Sequence, residues 1–242
     1  MTNLPDPYVI PGTNVLKNKW GIKNLKELMK AETDQSVMRM RYLSLVPLEG
    51  NYDFNHFQQV HRFLFGKAYE WAGEPRAIDI YKCEKVLQGY SIEYEDCTKI
   101  EESMDKVLTE LKTIEWGKLS ADDQAKCLAT YMARVWKIHA FREGNTRTTT
   151  TFFCQFAESK GMVLNRLHFA QHSKYLRDAL VAASASWESI GDRSKPEYLI
   201  KFVKDGIARP AKGKSIHQRM EQAKGQTQPA RKDEIPHERE GR

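Results

Sequence analysis

Along most of the chain the apolar residues recur three and four positions apart, the spacing that lines one face of a helix. In the first such stretch, residues 24–46, the apolar positions are Leu25, Leu28, Met29, Met38, Met40 and Leu43, and Pro47 with Gly50 end it. A second helix is predicted from Asp53, whose carboxylate suits an N-cap, with Phe54, Phe57, Val60, Phe63 and Leu64 on one face. Helical periodicity returns over 93–114. It resumes at Ala121, where Asp122 and Asp123 favour a helix start, and runs through Leu128, Tyr131, Met132, Val135 and Trp136 to His139. Further helices are predicted over 148–160, closed by Gly161, and over 166–186 and 196–207. One stretch breaks the pattern: Arg76-Ala-Ile-Asp-Ile-Tyr81 is short, rich in β-formers and preceded by Gly-Glu-Pro, which predicts a strand or hairpin. The expected fold class is all-α, mainly helical, with a short β-hairpin flap before the central helices.

Composition sets the limits of the domain. The chain has 242 residues, 40% hydrophobic and 10% aromatic, ordinary for a globular protein. Beyond Pro210 the apolar content collapses into Lys, Arg, Gln, Glu, Gly and Pro, which cannot bury enough surface to offset ordering entropy. One domain is therefore expected over 1–207 and a basic, disordered tail over 208–242, with a short helix around 215–224. No apolar run approaches the roughly 18–20 residues that span a bilayer, and the start lacks the basic and apolar regions of a secretory signal. The expected address is cytoplasmic, with no membrane partner. Cys83, Cys97, Cys127 and Cys154 are irregularly spaced, so free thiols are expected.

Charge changes the picture little. The net charge is +6, but from Ile207 onward there are nine basic and five acidic residues, so +4 of it lies in the tail. The remainder is close to neutral and shows no basic stripe with stacking aromatics, so nucleic acid is not expected as the main partner.

The candidate chemistry is concentrated in His139-Ala-Phe-Arg-Glu-Gly-Asn-Thr-Arg147, between two predicted helices. Gly144 would let the backbone approach a ligand closely, and the N–H groups of Gly144, Asn145 and Thr146 would face whatever sits over the following helix N-terminus. Such a place favours phosphate. Glu143 offers the hard oxygen that Mg²⁺ takes alongside substrate phosphates, and Arg147 a fork of donors for a phosphate oxygen. His139, with an ordinary pKa near roughly 6.5, suits removal of a proton from an attacking hydroxyl. Phe141 is expected to point inward and pin the loop. No second His or Cys stands at zinc-ligand spacing, and the Walker A pattern is missing. The composite is a site for phosphoryl or nucleotidyl transfer.

This string resembles the signature of the Fic family, His-x-Phe-x-(Asp/Glu)-Gly-Asn-(Gly/x)-Arg-x-x-Arg, matching at His139, Phe141, Glu143, Gly144, Asn145 and Arg147. The segment from Pro11 to Ile22, and that from Leu64 to Arg76 with Asp79 and Ile80, look like the family's opening segment and the approach to its flap. The resemblance implies a protein adenylyltransferase that moves AMP from Mg-ATP to a Ser, Thr or Tyr hydroxyl of a target protein. His139 would be the base, Glu143 the Mg²⁺ ligand, the loop Gly144–Arg147 the nucleotide-binding anion hole, and Ile80, Tyr81 and Lys82 the flap that docks the target by strand addition. The string departs from the signature at Thr146, where a second glycine is common, and at Thr150, where a second arginine usually clamps the γ-phosphate. Arg134 and Trp136 replace Glu and Asn in many members. A phosphotransferase on the same fold and a catalytically weak nucleotide- or partner-binding module stay open as alternatives. The family's inhibitory motif, (Ser/Thr)-x-x-x-Glu-(Gly/Asn), has only near misses, at Thr98–Glu102 and Ser184–Glu188. Regulation is then either by another route or by a separate inhibitory protein or antitoxin as partner, and a toxin acting in its own host or a delivered effector are both compatible roles.

Overall fold

Side chains set where the longer helices begin. The carboxamide of Asn24 accepts from the N–H groups of Lys26 and Glu27 and opens α1, Leu25–Leu45. Asp53 accepts from the N–H of His56 at 2.8 Å and opens α2, Phe54–Phe65; Ser120 accepts from that of Asp123 and opens α4, Ala121–Ile138. Between them lies α3, Ile100–Thr113. After α4 come α5, Asn145–Ser159, α6, Arg166–Gln171, α7, Ser173–Ala183, and α8, Pro196–Gly206. The computed structural model describes residues 6–207. The expected tail, 208–242, and its helix around 215–224 lie outside the described residues.

The core gathers around α4 and α5, with α2 on α5, α3 and α8 on α4, and α7 on α8. Trp136, Phe141, Phe152, Phe153 and Phe156 are fully buried there. Phe57 of α2 stacks on Phe141 and meets Phe152 edge-on, with centroids 5.5 and 5.2 Å apart, so the loop after α4 rests on an aromatic floor.

The mainly helical class is observed, and three local expectations are corrected. Residues 76–81 form no ladder: the chain turns back beyond them, over 84–90, where the N–H of Glu84 donates to the carbonyl of Tyr90 at 3.0 Å and that of Gly89 to the carbonyl of Glu84 at 2.9 Å. Around 76–82, side chains meet several of the main-chain groups. Arg76, fully buried, donates from its guanidinium to the carbonyls of Ile78, Glu95 and His139, and the hydroxyl of Ser91 accepts from the N–H of Lys82. Among the described residues the paired strands are instead β1, Ser186–Trp187, and β2, Gly191–Asp192, antiparallel. β1 begins at Ser186, the last residue of the expected 166–186 helix. That helix is itself interrupted at His172, and the 93–114 helix starts late because 93–96 stay extended. Trp187 ties the two regions by donating from its indole N–H to the carbonyl of Ser91 at 2.9 Å. No described helix is long and apolar enough to cross a membrane, and the four cysteines are unpaired.

Candidate active site

His139 is the residue on which α4 ends. It takes a left-handed conformation, φ 53° and ψ 55°, and its main-chain N–H donates to the carbonyl of Trp136. That turn sends the chain into the loop His139–Gly144 and then into α5. The imidazole is 4% exposed, lies against the ring of Tyr94 with centroids 4.1 Å apart, and has Trp136 edge-on. Its Nδ1 is 3.2 Å from the Trp136 carbonyl, an acceptor, so Nδ1 carries the proton. Nε2 is then an unprotonated nitrogen, buried and without a protein partner. Burial first, and then the charge of Lys82, hold its pKa well below the ordinary histidine value against the pull of the Trp136 carbonyl.

The loop is closed by Asn145, whose side chain spans it both ways: the carboxamide oxygen accepts from the N–H of Phe141 at 2.9 Å and the amide donates to the Phe141 carbonyl at 2.6 Å. From below it is pinned by His61 of α2. The ring of His61 stacks on Phe141 at 3.8 Å, accepts from the N–H of Gly73 at 2.8 Å, and so donates from Nε2 to the carbonyl of Glu143 at 3.0 Å. Burial drives its pKa down to about 3. His61 is a site-building residue the sequence reading did not single out, being one polar letter in an aromatic helix. Gly144 is required for a reason other than ligand approach: φ is 84°, and a Cβ there would come within 2.4 Å of the Phe65 ring.

Glu143 directs its carboxylate into the pocket, 37% exposed. Burial would raise its pKa, but Lys82, the N–H of Gly144, Arg147 and Arg142 together bring it down to about 2, so it is ionised. Its Oε1 takes the Gly144 N–H at 2.9 Å, removing that donor from the expected anion hole; its Oε2 lies 3.7 Å from Lys82 Nζ. The N–H groups of Asn145, Thr146 and Arg147 have no protein acceptor among the described residues, so the donors at the N-terminus of α5 sit one residue further on than expected. Arg147 stacks over Phe65 and turns toward α1, 2.8 Å from Glu32 and donating to Ser36 at 2.7 Å. Glu32 is buried, which raises its carboxyl pKa against the lowering effect of Arg147.

Two of the departing residues, Trp136 and Thr146, are partners. The indole N–H of Trp136 donates to the hydroxyl of Thr146 at 2.9 Å. Thr150 donates to the carbonyl of Thr146 at 2.8 Å and brings no charge. Of the flap residues, Tyr81 is 72% exposed and Ile80 half-buried, and neither makes a main-chain hydrogen bond to described protein; Lys82 turns into the site. The resulting pocket, about 320 Å³, is lined by Lys82, Trp136, His139 and the loop from Glu143 to Arg147, with Arg177 of α7 added. Glu102 and Glu188 of the near-miss motifs are exposed.

The Fic/DOC family profile matches residues 51–157, the span from the loop before α2 to the end of α5. The probable protein adenylyltransferase y4lH of Sinorhizobium fredii is 33% identical over 162 residues, covering 66% of this chain and 79% of that protein. The chain belongs to the Fic/DOC family. Protein adenylyltransferase VbhT of Bartonella schoenbuchensis is 32% identical over 157 residues, 64% of this chain but only 31% of VbhT, so this chain spans a part of that longer relative. Among solved structures, the N-terminal FIC domain of Bep8 from Bartonella sp. 1-1C has the same fold, with TM-score 0.67, 24% identity, and coverage of 84% of this chain and 94% of that one. BepC of Bartonella tribocorum, solved with bound AMPPNP, aligns with TM-score 0.67 at 22% identity over 85% of this chain and 97% of that chain.

Proposed function

We propose that the chain is a protein adenylyltransferase, transferring AMP from ATP to a Ser, Thr or Tyr hydroxyl of a target protein. The observation that carries this reading is the buried, unprotonated Nε2 of His139 facing a pocket that also holds an ionised carboxylate and the unpaired N–H groups of a helix N-terminus. Nε2 takes the proton of the target hydroxyl as its oxygen attacks the α-phosphorus, and pyrophosphate leaves. The depressed pKa keeps the imidazole neutral through the physiological range, so the base is always in its working form. The N–H groups of Asn145, Thr146 and Arg147 hold phosphate oxygens where negative charge grows.

One carboxylate is what a Mg²⁺ site on a nucleotide takes from the protein, and Glu143 fits: it is ionised, reaches the pocket, and has Oε2 free of main-chain bonds. Among the described residues it belongs to no cluster of three ligating side chains, so phosphates and water would complete the shell. Bound there, Mg²⁺ would neutralise phosphate charge. The main-chain groups of Ile80 and Tyr81, unpaired within the described protein, suit capture of an extended target segment. The relatives named as protein adenylyltransferases, and the AMPPNP bound by BepC, support the same reading.

Incubation of a lysate with the protein and ATP labelled at either the α- or the γ-phosphate tests it. Label from the α position on a protein band, lost in His139→Ala, is expected. Label from the γ position alone would make the chain a phosphotransferase, a reading that the uncharged Thr150 keeps in play. No label from either position would leave a binding module. Mass spectrometry of the band identifies the modified hydroxyl.

A further inference from the structure

Three cations reach the pocket, and they are not equivalent. Arg147 is already engaged by Glu32 and Ser36 on the α1 side. Lys82 stands 3.7 Å from Glu143. Arg177 comes from α7, thirty residues beyond the loop in sequence, and is held by Glu84, whose side chain is 4% exposed and receives its Nη1 and Nη2 at 2.8 Å each. A two-pronged pair of this kind fixes the plane of the guanidinium. It uses two of the five N–H donors, and the other three have no protein acceptor among the described residues. Arg177 is partly exposed, 41%, and the space it opens on is the pocket of His139 and Glu143. A fixed, partly exposed guanidinium with spare donors, beside a helix N-terminus whose first N–H groups have no protein acceptor among the described residues, suits a second anionic group on the same ligand.

We propose that Arg177, positioned by Glu84, binds the terminal phosphates of the nucleoside triphosphate, the part that leaves as pyrophosphate. The N-terminus of α5 holds the phosphate that is transferred, so the two ends of the triphosphate are read by different helices. In the ground state Arg177 selects a triphosphate over a monophosphate; as the P–O bond breaks it meets the charge that gathers on the leaving group. The cation that position 150 lacks is thereby supplied by α7. This inference rests on the adenylyl-transfer reading and concerns which residue grips its substrate.

Binding of AMPPNP and of AMP, each with MgCl2, to the full chain is measured by calorimetry for the wild type, Arg177→Gln and the double variant Glu84→Gln/Arg177→Gln. The double variant removes the buried carboxylate that the single one orphans, and thermal melts establish that it folds. Loss of a charge-assisted contact corresponds to a weakening of at least about tenfold for AMPPNP in both variants, with AMP affinity unchanged. Arg177→Lys, which keeps charge but loses the fork, is expected to fall between. AMPPNP affinity unchanged in the folded double variant, or AMP and AMPPNP weakened alike, overturns the assignment. A wild type that binds no AMPPNP overturns the adenylyl-transfer reading itself, and this one with it.

Discussion

His61 shows how one side chain can hold a site without touching what the site acts on. It accepts from the Gly73 N–H and donates to the Glu143 carbonyl, so the peptide that carries the acidic side chain is tied to the end of the segment leading into the flap. Replacing it by Ala leaves a cavity under Phe141 and strands two buried main-chain groups, a combined cost of about 3 kcal/mol or more. Urea denaturation of His61→Ala is expected to show a lower midpoint with an unchanged slope; a midpoint equal to the wild type's would remove His61 from this role. The residues proposed to carry the chemistry stand together in the string His139–Arg147 because each such role needs a particular functional group at a particular spacing. His61 and Arg177 were not legible in this way, since their importance lies in contacts across 82 and 93 positions of sequence that periodicity does not encode.

Among the elements, α1 explains its own irregular pattern. Its buried positions are Leu28, Glu32, Ser36 and Leu43, a helical stripe whose middle is polar because it receives Arg147, while Met29 and Met38, counted as apolar positions in the sequence, are exposed. The start of α2 at Asp53 and that of α4 near Ala121 were legible because caps and amphipathic faces are local. Residues 76–81 misled because β-forming residues favour extended backbone, but local composition does not specify whether another strand or a side chain supplies the hydrogen bonds. Here Arg76 does. Arg76→Met would leave the carbonyls of Ile78, Glu95 and His139 without that donor and is expected to destabilise the protein by about 3 kcal/mol or more. Limited tryptic digestion reads this directly: cleavage after Lys82 and Lys85 should quicken well before the helical core is cut, and an unchanged digestion pattern would count against the role given to Arg76.

For the molecule as a whole, buried histidines set an acid limit. His56, His61 and His139 all have pKa values lowered by burial, His61 to about 3. At a pH above the unfolded value of roughly 6.5 neither state binds these protons, and the stability is intact. Below it the unfolded chain takes up protons that the folded one refuses, so stability declines until the folded values are reached. Each fully refused proton removes about 1.4 kcal/mol per pH unit. Denaturant midpoints are therefore expected to fall steadily from about pH 6.5 to about pH 5, before most carboxylates titrate. Replacing His56 by Gln should flatten the slope, and a midpoint constant over that interval would contradict the buried neutral state.

The Trp136–Thr146 hydrogen bond bears on descent. A single change to glycine at 146, the letter common elsewhere in the signature, would orphan a buried indole N–H, and a single change at 136 would strip the threonine hydroxyl of its donor. Neither step is neutral alone. The two positions are therefore expected to behave as one inherited character, so that relatives keeping threonine at 146 keep tryptophan at 136, and a lineage that lost one would be found to have lost both.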